Sequence, residues 1–546
     1  VEDAADLVVW GGKIVTVAGG DGAAEVEALA VRGDRIVAVG SRAEVEAMVG
    51  ESTEVVDLAG RLAIPGFVEG HAHFTGIGDA AIQLDLASAG SWEATVTMVR
   101  DAAAELDAGE WIRGRGWHQD KWSDAPDRIV DGFPTHDELS AAAPDNPVLL
   151  THASGHAALV NAAAMIAAGI DASTADPDGG DIVRDDSGAA TGLLNETAQG
   201  LIDAVRGGEG SSSDAEMRRM IRLASDECLS KGVTSFHDAG SPFSTIDQLK
   251  AAAAEGDLGV RLWVMAEGSN DELAARLGDY VGDGAPSYKV AVGGIKRYMD
   301  GALGSRGAWL LEPYSDDPDT DGLQLSEVDD LRQVAHIALD NNAQLCIHAI
   351  GDRANREVLD LFDEVLGTVD DGNARRWRIE HAQHVHPDDV PRFGELGVIA
   401  SVQTVHCTSD GPWVPERIGD ERAEANGYPW SDLLDTGARV INGTDAPVED
   451  VDPLANYFSA VTRQMNDGER FYPDQALTRE EALRAMTLDT AYGAFQESIL
   501  GSLEVGKLAD IVVLSQDILT VPDEQLPTTT VEMTIVGGEV AYRIDG

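Results

Sequence analysis

The sequence predicts an α/β protein: a (β/α)₈ TIM barrel with a small β-sandwich domain built from both termini and an insertion after the first barrel strand. Three observations lead to this fold class. Eight apolar, strand-like segments alternate with helix-like segments through the middle of the chain. Short strand-like segments occupy both ends of the chain, and a long stretch separates the first predicted barrel strand from the second.

The predicted barrel strands are short apolar runs, most of them rich in β-branched or aromatic residues. They cover residues 64–69, 232–237, 261–265, 288–298, 343–348, 376–381, 398–403 and 439–445. Between strands, residues 329–339 and 479–486 carry apolar side chains at the i, i+3, i+4 spacing of amphipathic helices. Alternation of this kind favours a closed parallel barrel, whose active site lies at the C-terminal ends of the strands.

The two ends of the chain, residues 1–63 and 495–546, are predicted to form one composite β-sandwich domain. Their strand-like segments are 6–10, 13–17, 28–31, 35–39, 510–514, 531–536 and 539–542. Gly11-Gly12 and Gly33-Asp34 separate the N-terminal segments as hairpin turns would. Because neither end has a large core of its own, pairing the two ends is the simplest arrangement.

The remaining residues, 64–494, are assigned to the barrel. Within them, residues 75–231 are too long for a single crossover between two neighbouring strands. We therefore expect an inserted region there that roofs the barrel mouth and shapes the substrate pocket.

The charge of the chain excludes several classes of function. Its 546 residues carry a formal net charge of −57, spread along the whole chain, which would repel nucleic acid and anionic membrane. We therefore expect a small-molecule substrate, no nucleic-acid partner and no membrane partner. So large an acidic excess also fits the solvated surface of a halophilic protein.

The location and the cysteines are read from the same composition. No apolar run approaches the ~18 residues of a membrane span, and no secretory signal pattern opens the sequence, so a cytoplasmic protein is expected. Cys228, Cys346 and Cys407 are far apart and odd in number. A disulfide framework or a thiolate zinc site is therefore not predicted, and the cysteines are interpreted as small buried residues.

The predicted strand ends bring together a set of metal-ligand residue types. His71 and His73 close the first strand and point to the same side, because side chains on a strand alternate. Further candidates are His348 on the fifth strand, His381 on the sixth, Asp445 on the eighth and Lys296 on the fourth. Any one of these could be structural. Their joint placement favours a zinc-type site, because imidazole and carboxylate ligands suit such a cation.

Six motifs resemble those of one protein family, in the family's order along the chain. They are 65–73, which ends in His71-Ala72-His73, Lys296 with 300–306, and the segments 348–352, 379–383, 443–447 and 506–510. On these residues the chain resembles the amidohydrolase superfamily. Within it, the chain is most similar to the YtcJ-like branch that includes N-substituted formamide deformylases, as an acidic, haloarchaeal-type member.

This resemblance implies a divalent metal centre, with Zn²⁺ as the expected ion and one or two ions per chain. In similar proteins the residues matching His71 and His73 hold one ion, and those matching His348 and His381 can hold a second. The lysine matching Lys296 can be carboxylated to bridge the two ions. The aspartate matching Asp445 both binds metal and moves protons. Relatives of this kind often form homodimers.

The implied function is hydrolysis of a non-peptide, amide-type C–N bond by a metal-activated hydroxide. Asp445 and His381 are the predicted catalytic residues, with His406 either polarising the carbonyl or simply packing. Two alternatives remain: deamination of a cyclic amidine such as a nucleobase, and a catalytically silent scaffold. Lys296 could instead form an ion pair with a nearby carboxylate such as Asp300.

The inserted region supplies the candidates for substrate contact. Trp117 can offer an apolar platform, and His118, His152 and His156 can donate hydrogen bonds to a carbonyl. Arg306, which follows the fourth strand, could bind a substrate carboxylate or neutralise local acidic charge. For each of the others, packing within a loop is the competing interpretation.

Overall fold

A computed structural model describes residues 4–19, 24–124, 126–153, 155, 157–177, 179–206, 214–282 and 288–544. The chain divides into two compact units. The first is formed by Val1–Phe74 with Ser225–Gly546, and the second by Thr75–Ala224. The first unit contains the barrel and the sheet formed by the two ends of the chain.

The barrel is a single sheet of eight parallel strands, as the sequence predicts. Each strand pairs with the next one in chain order, which is the topology of a TIM barrel. The strands are Phe67–Ala72, Val233–Pro242, Arg261–Glu267, Val290–Tyr298, Gln344–Ala349, Arg378–His381, Ile399–Val402 and Val440–Asn442. They are called barrel strands one to eight below.

Backbone hydrogen bonds just beyond the eighth strand join it to the first. Asp445 N donates to His71 O at 2.7 Å, and His73 N donates to Ala446 O at 2.7 Å. The buried Glu69 carboxylate accepts from Thr444 N at 2.8 Å and from Thr444 Oγ1 at 2.9 Å. The seam of the barrel therefore lies where two of the predicted metal ligands meet.

The predicted first strand, 64–69, is divided between two sheets in the structure. Leu62–Pro65 pairs with Ile511–Leu514 in the terminal sheet, whereas Phe67–Ala72 belongs to the barrel. A Cβ at Gly66 would lie 2.2 Å from Thr234 Oγ1, so only glycine fits where the chain passes from one sheet to the other. Because residues 64–69 form a continuous, mostly apolar run, the sequence does not show where the chain changes sheets.

Helices surround the barrel and connect its strands. Those that follow the second to eighth strands are Phe243–Glu255, Asn270–Arg276, Val328–Asp340, Asp352–Leu366, Val390–Leu396, Thr404–Asp410, Val414–Ile418, Asp420–Asn426, Trp430–Asp435, Pro453–Thr462, Arg479–Ala485 and Leu488–Gly493. The two helices predicted from apolar spacing, 329–339 and 479–486, are confirmed to within one residue at each end. Arg479–Ala485 begins with a capping box between Thr478 and Glu481.

The terminal sheet has eight strands and draws on both ends of the chain. They are Leu7–Val15, Glu25–Arg32, Arg35–Gly40, Glu54–Asp57, Leu62–Pro65, Ile511–Leu514, Val531–Val536 and Glu539–Arg543, with the short helix Arg42–Glu46 between the third and fourth. One apolar cluster combines Leu7, Val9 and Ile14 with Val513 and Ile535. The two ends of the chain therefore share a core.

One predicted turn in this sheet is wrong. Gly11-Gly12 does not connect two strands, because Leu7–Val15 is one strand with a register shift between Trp10 and Ile14. Gly11 has a positive φ of 82°, and a Cβ there would lie 2.1 Å from Asp57 Oδ1. The glycines accommodate an irregularity within the strand. The Gly33-Asp34 hairpin is confirmed, with Val31 opposite Ile36.

The unit Thr75–Ala224 is built around a six-stranded mixed sheet. Its strands are Leu84–Asp85, Ile112–Trp117, Val148–His152, Ala157–Val160, Gly180–Arg184 and Ala190–Glu196, and Ile129–Val130 pairs separately with Phe133–Pro134. Helices Trp92–Glu105, Asp137–Ala142, Ala162–Ala168 and Gly200–Arg206 accompany the sheet. Phe74–Ala81 and Asp214–Ser230 lie at the two points where the chain passes between the units. In the described part of the chain, none of the helices combines the length and apolar character needed to cross a membrane.

Salt is expected to stabilise this fold. The net charge of −57 implies repulsion among the acidic side chains. Salt weakens this repulsion, because the Debye length falls from about 10 Å at 0.1 M to about 3 Å at 1 M salt. The midpoint of thermal unfolding, followed by circular dichroism, should rise between 0.1 M and 2 M KCl. Sucrose matched in osmolality is the control. An equal rise in sucrose, or no rise in KCl, would contradict this expectation.

Candidate metal centre

His71, His73 and Asp445 form one candidate metal-binding group at the barrel seam. Asp445 Oδ1 lies 3.6 Å from His71 Nε2 and 3.4 Å from His73 Nε2. The His71 side chain is completely buried, whereas 36% of the His73 side chain is exposed. The group therefore has a closed wall inside the barrel and an open side at His73.

His381, His406 and the same Asp445 form a second candidate group. His406 Nε2 lies 4.0 Å from Asp445 Oδ2, and the His381 and His406 rings are stacked with their centroids 6.2 Å apart. Asp445 thus belongs to both groups and lies between them. His381 and Asp445 have positive φ values of 75° and 59°. Such backbone strain in residues other than glycine is often found at functional sites.

The donor atoms of these groups fit a divalent cation. Among the described residues, Asp445 Oδ1, His406 Nε2 and His348 Nε2 are buried without a hydrogen-bond partner. Leaving such atoms unsatisfied is costly, and a coordinated cation would satisfy them. Imidazole nitrogen and carboxylate oxygen are ligands that Zn²⁺ accepts. The residues present could therefore hold a metal ion.

His348 lies beside the second group but is not a member of either candidate group. Its ring centroid is 4.4 Å from that of His381, and its Nε2 lies 3.5 Å from Asp300 Oδ1. The second group contains His406, and the role of His348 as a ligand stays a prediction. For His406 the sequence predicts either of two roles, polarising the carbonyl or packing.

The Asp300 carboxylate is hydrogen-bonded to backbone amides. Its carboxylate accepts hydrogen bonds from the amides of Ile350 at 2.9 Å, Gly351 at 2.8 Å and Trp309 at 2.8 Å. These contacts of Asp300 do not include Lys296, so Asp300 is not the carboxylate that would pair with it.

Lys296 reaches into the centre from the fourth strand. It is buried, and its Nζ lies 3.3 Å from His71 Nε2 and 5.1 Å from the centroid of the Tyr298 ring. Burial lowers the pKa of the Lys296 ammonium, although Glu380, Asp445 and Glu267 act in the opposite direction. The lysine is thus more readily neutral than a lysine on the surface.

Burial keeps His71 and His348 neutral, and neighbouring side chains orient His71 and His381. Burial lowers the pKa of His71 to about 4 and that of His348 to about 3, so both rings are uncharged at neutral pH. His71 Nδ1 is hydrogen-bonded to Glu380 Oε2, and His381 Nδ1 lies 2.6 Å from Gln403 Oε1. Such contacts fix the ring orientation of metal-binding histidines.

The predicted substrate residues Trp117, His118 and His152 lie in the unit Thr75–Ala224. Their rings cluster: His152 is 4.7 Å from Trp117 and 4.8 Å from His118 between centroids. Trp117 is buried in that unit's core, and its indole N–H donates to Leu150 O at 2.8 Å. These contacts are those of a packed core residue, which is the competing interpretation of Trp117. His156 lies outside the described residues.

Arg306 is engaged by an aspartate. Its Nη2 lies 2.8 Å from Asp316 Oδ2 and its Nε 3.3 Å from Asp316 Oδ1, and Arg417 contacts the same carboxylate. This is the arrangement of the second interpretation, in which Arg306 neutralises local acidic charge.

Sequence reasoning missed Glu380 and Gln403 as site residues. Glu380 lies inside the motif 379–383, and Gln403 is the last residue of the predicted strand 398–403. A charged residue within the short, buried strand Arg378–His381 was the available signal for Glu380. Nothing in the sequence indicates which histidine either residue contacts.

Comparison with known proteins finds similarity over most of this chain. The model of the Amidohydrolase family matches residues 54–542. Protein LONG AFTER FAR-RED 3 of Arabidopsis thaliana is 34% identical over 98% of this chain and 92% of its own. Putative amidohydrolase YtcJ of Bacillus subtilis (strain 168) is 32% identical over 90% of each chain. N-substituted formamide deformylase of Arthrobacter pascens is 27% identical over 99% of each chain.

A solved structure shares the fold over nearly the whole chain. It is an uncharacterized metal-dependent hydrolase from Pyrococcus horikoshii OT3, with a TM-score of 0.79 and 28% identity. The alignment covers 95% of this chain and 99% of that chain.

Removing one histidine from either candidate group should weaken metal binding. For His73→Ala and His406→Ala we expect the affinity for Zn²⁺ to fall by more than about 10-fold, since loss of even a residue that supports a ligand costs 10–100-fold. Competition with a chromogenic chelator measures this affinity. His336→Ala, on the exposed face of helix Val328–Asp340, is the control. Unchanged affinity in both site variants would show that the metal lies elsewhere.

Proposed function

Since the chain belongs to the amidohydrolase family, we propose that it is a metal-dependent hydrolase that cleaves a non-peptide, amide-type C–N bond of a small molecule. The observation that carries the proposal is the position of Asp445. One carboxylate is shared by two histidine pairs at the C-terminal ends of the barrel strands. A TIM-barrel enzyme places its reaction there.

The proposed metal is Zn²⁺, held by His71, His73 and Asp445 and, where a second ion binds, by His381 and His406 with the same aspartate. When bound, such a cation lowers the pKa of water to about 7 and polarises a carbonyl oxygen. His348 lies beside this second set, within 4.4 Å of the His381 ring. We propose that it supports the centre or joins it when the ion is present.

Asp445 is the proposed general base and acid. Its Oδ1 is buried and has no hydrogen-bond partner among the described residues. A carboxylate oxygen that is not engaged by the cation can accept a proton from an attacking water and pass it to the leaving nitrogen, so that a carboxylate and an amine are released. His406, whose Nε2 is 4.0 Å from the other carboxylate oxygen, is the group proposed to polarise the substrate carbonyl where it does not act as a ligand.

The proposed substrate class is an amide with a substituted nitrogen. Its support is the similarity to a relative named N-substituted formamide deformylase over 99% of this chain. Amine released from a panel of N-substituted formamides and other small amides would identify this class. Ammonia released from nucleobases in place of amine would instead point to deamination.

Replacement of Asp445 should abolish most of the activity. Asp445→Asn retains the shape of the side chain but cannot accept and return a proton, so kcat should fall by about 10²–10⁴-fold. The measurement is the rate of amine release by metal-loaded protein, with metal content determined in parallel. His336→Ala should keep the rate of the wild type. Full turnover by metal-loaded Asp445→Asn protein would contradict the proposed role.

Lys296 is the proposed bridge between two ions. Its neutral amine would add CO₂ at Nζ and release one proton, which gives a carbamate. Support comes from its burial, its lowered pKa and its 3.3 Å distance to His71 Nε2. An unmodified, charged lysine so close to a cation would be unfavourable.

Loss of the Lys296 side chain should reduce the metal content from two ions to one per chain. Elemental analysis gives the stoichiometry, and ¹³C NMR of protein grown and purified with ¹³CO₂ detects the carbamate carbon. Lys250→Ala, on helix Phe243–Glu255, is the control lysine. One ion per chain in the wild type, or an unchanged count in Lys296→Ala protein, would exclude the bridge.

A further inference from the structure

A fully buried ion pair lies beneath the candidate metal centre, and the proposed reaction does not use it. Arg378 and Glu380 are both 0% exposed. They are two residues apart on the sixth barrel strand, so their side chains point to the same side of the sheet. Arg378 Nε lies 2.7 Å from Glu380 Oε1, and its Nη2 donates to Glu380 Oε2 at 3.0 Å.

The remaining donors of Arg378 are also bound inside the barrel. Its Nη2 donates to Gly70 O at 2.8 Å and to Ser401 Oγ at 2.9 Å, and its Nη1 lies 3.0 Å from His237 Nδ1. Burying two charges costs free energy that their attraction often does not fully return, and apolar residues in their place are often no less stable. The presence of the pair is therefore weak evidence that it stabilises the barrel.

The other contact of Glu380 indicates a purpose. Glu380 Oε2 is hydrogen-bonded to Nδ1 of His71. An ionised carboxylate can only accept, and Arg378 beside it favours the ionised form, so Nδ1 must carry the hydrogen. A neutral imidazole has a single N–H. The opposite nitrogen, Nε2, is then left with its lone pair, facing Asp445 Oδ1 at 3.6 Å and Lys296 Nζ at 3.3 Å.

We propose that Glu380 is a positioning residue, which with Arg378 locks His71 in the tautomer whose Nε2 lone pair faces the centre. The carboxylate also fixes the plane of the ring. Without it, His71 could place its hydrogen on either nitrogen, and the form with hydrogen on Nε2 cannot bind a cation there. The inference rests on the proposed metal centre, but the tautomer itself can be measured in metal-free protein.

The test uses ¹⁵N-histidine-labelled, metal-free full chain and long-range ¹⁵N–¹H NMR, which distinguishes protonated from unprotonated ring nitrogens. The signals of His71 are those missing from His71→Gln protein. In the wild type we expect hydrogen on Nδ1 and none on Nε2. In Glu380→Ala protein we expect the Nε2–H form to become populated. Glu380→Gln, whose side-chain oxygen can still accept from Nδ1, should retain most of the wild-type tautomer.

Zn²⁺ affinity gives an independent readout. Chelator competition should show a 10–100-fold loss for Glu380→Ala and a smaller loss for Glu380→Gln. Because Glu380→Ala leaves Arg378 without its counter-charge and could unfold the barrel, the double variant Arg378→Met/Glu380→Leu is included. It replaces the whole pair by apolar side chains, and it should keep the fold but show the same change of tautomer and affinity.

Asp510→Asn is the matched control. It breaks another buried ion pair, with Arg261, whose Nε lies 2.8 Å from Asp510 Oδ2, and it does not touch His71. It should lower the thermal midpoint and leave both readouts unchanged. Hydrogen on Nε2 in the wild type, or an unchanged tautomer in the double variant, would overturn the proposal. Wild-type protein that shows the expected tautomer but binds no metal would contradict the proposed function and not this inference.

Discussion

The site depends on the way in which the barrel closes. Asp445 N donates to His71 O, and His73 N donates to Ala446 O, so the first strand and the segment after the eighth are held together where the candidate ligands stand. Glycine is required on both sides of this seam. A Cβ at Gly70 would lie 2.5 Å from Asn442 O, and one at Gly443 would lie 2.3 Å from His71 N. Closure of the barrel therefore brings the candidate ligands of the first and eighth strands together.

Charge is unbalanced over the chain as a whole but paired inside the barrel. The net charge of −57 is spread over a chain with few basic residues. Inside the barrel, by contrast, Arg378 is engaged by Glu380, Ser401, Gly70 and His237. Surface repulsion is reduced by salt, whereas a buried pair is screened little. A change in salt concentration that alters the stability of the fold should therefore leave the geometry around His71 almost unchanged.

Periodicity and strand order were enough to predict much of the fold and part of the site. His71, His381 and Asp445 could be placed together because parallel strands of a barrel end at one edge. Gly66 could not be recognised as the point where one apolar run passes between two sheets, since that depends on its approach to Thr234. The hydrogen bond between His71 and Glu380 joins residues 309 positions apart. No local pattern encodes such a contact.

His406 illustrates the same limit within the site. The sequence placed it after the seventh strand but did not show its direction. In the structure it lies in helix Thr404–Asp410, which Thr404 anchors by donating from Oγ1 to Asn456 O at 2.7 Å. This orientation brings the His406 ring to Asp445, whereas His348, one of the predicted ligands, faces Asp300. Residue type and strand order alone do not show which of two such histidines lies nearer to Asp445.

The proposed function requires that the Asp445 carboxylate binds a metal ion at the barrel seam, together with His71 and His73. Anomalous diffraction at the zinc absorption edge, from crystals of the Zn²⁺-loaded protein, tests it most directly. We expect an anomalous peak in contact with the Asp445 carboxylate and with His71 and His73. A strong peak at any other place in the chain, with none beside Asp445, would contradict it.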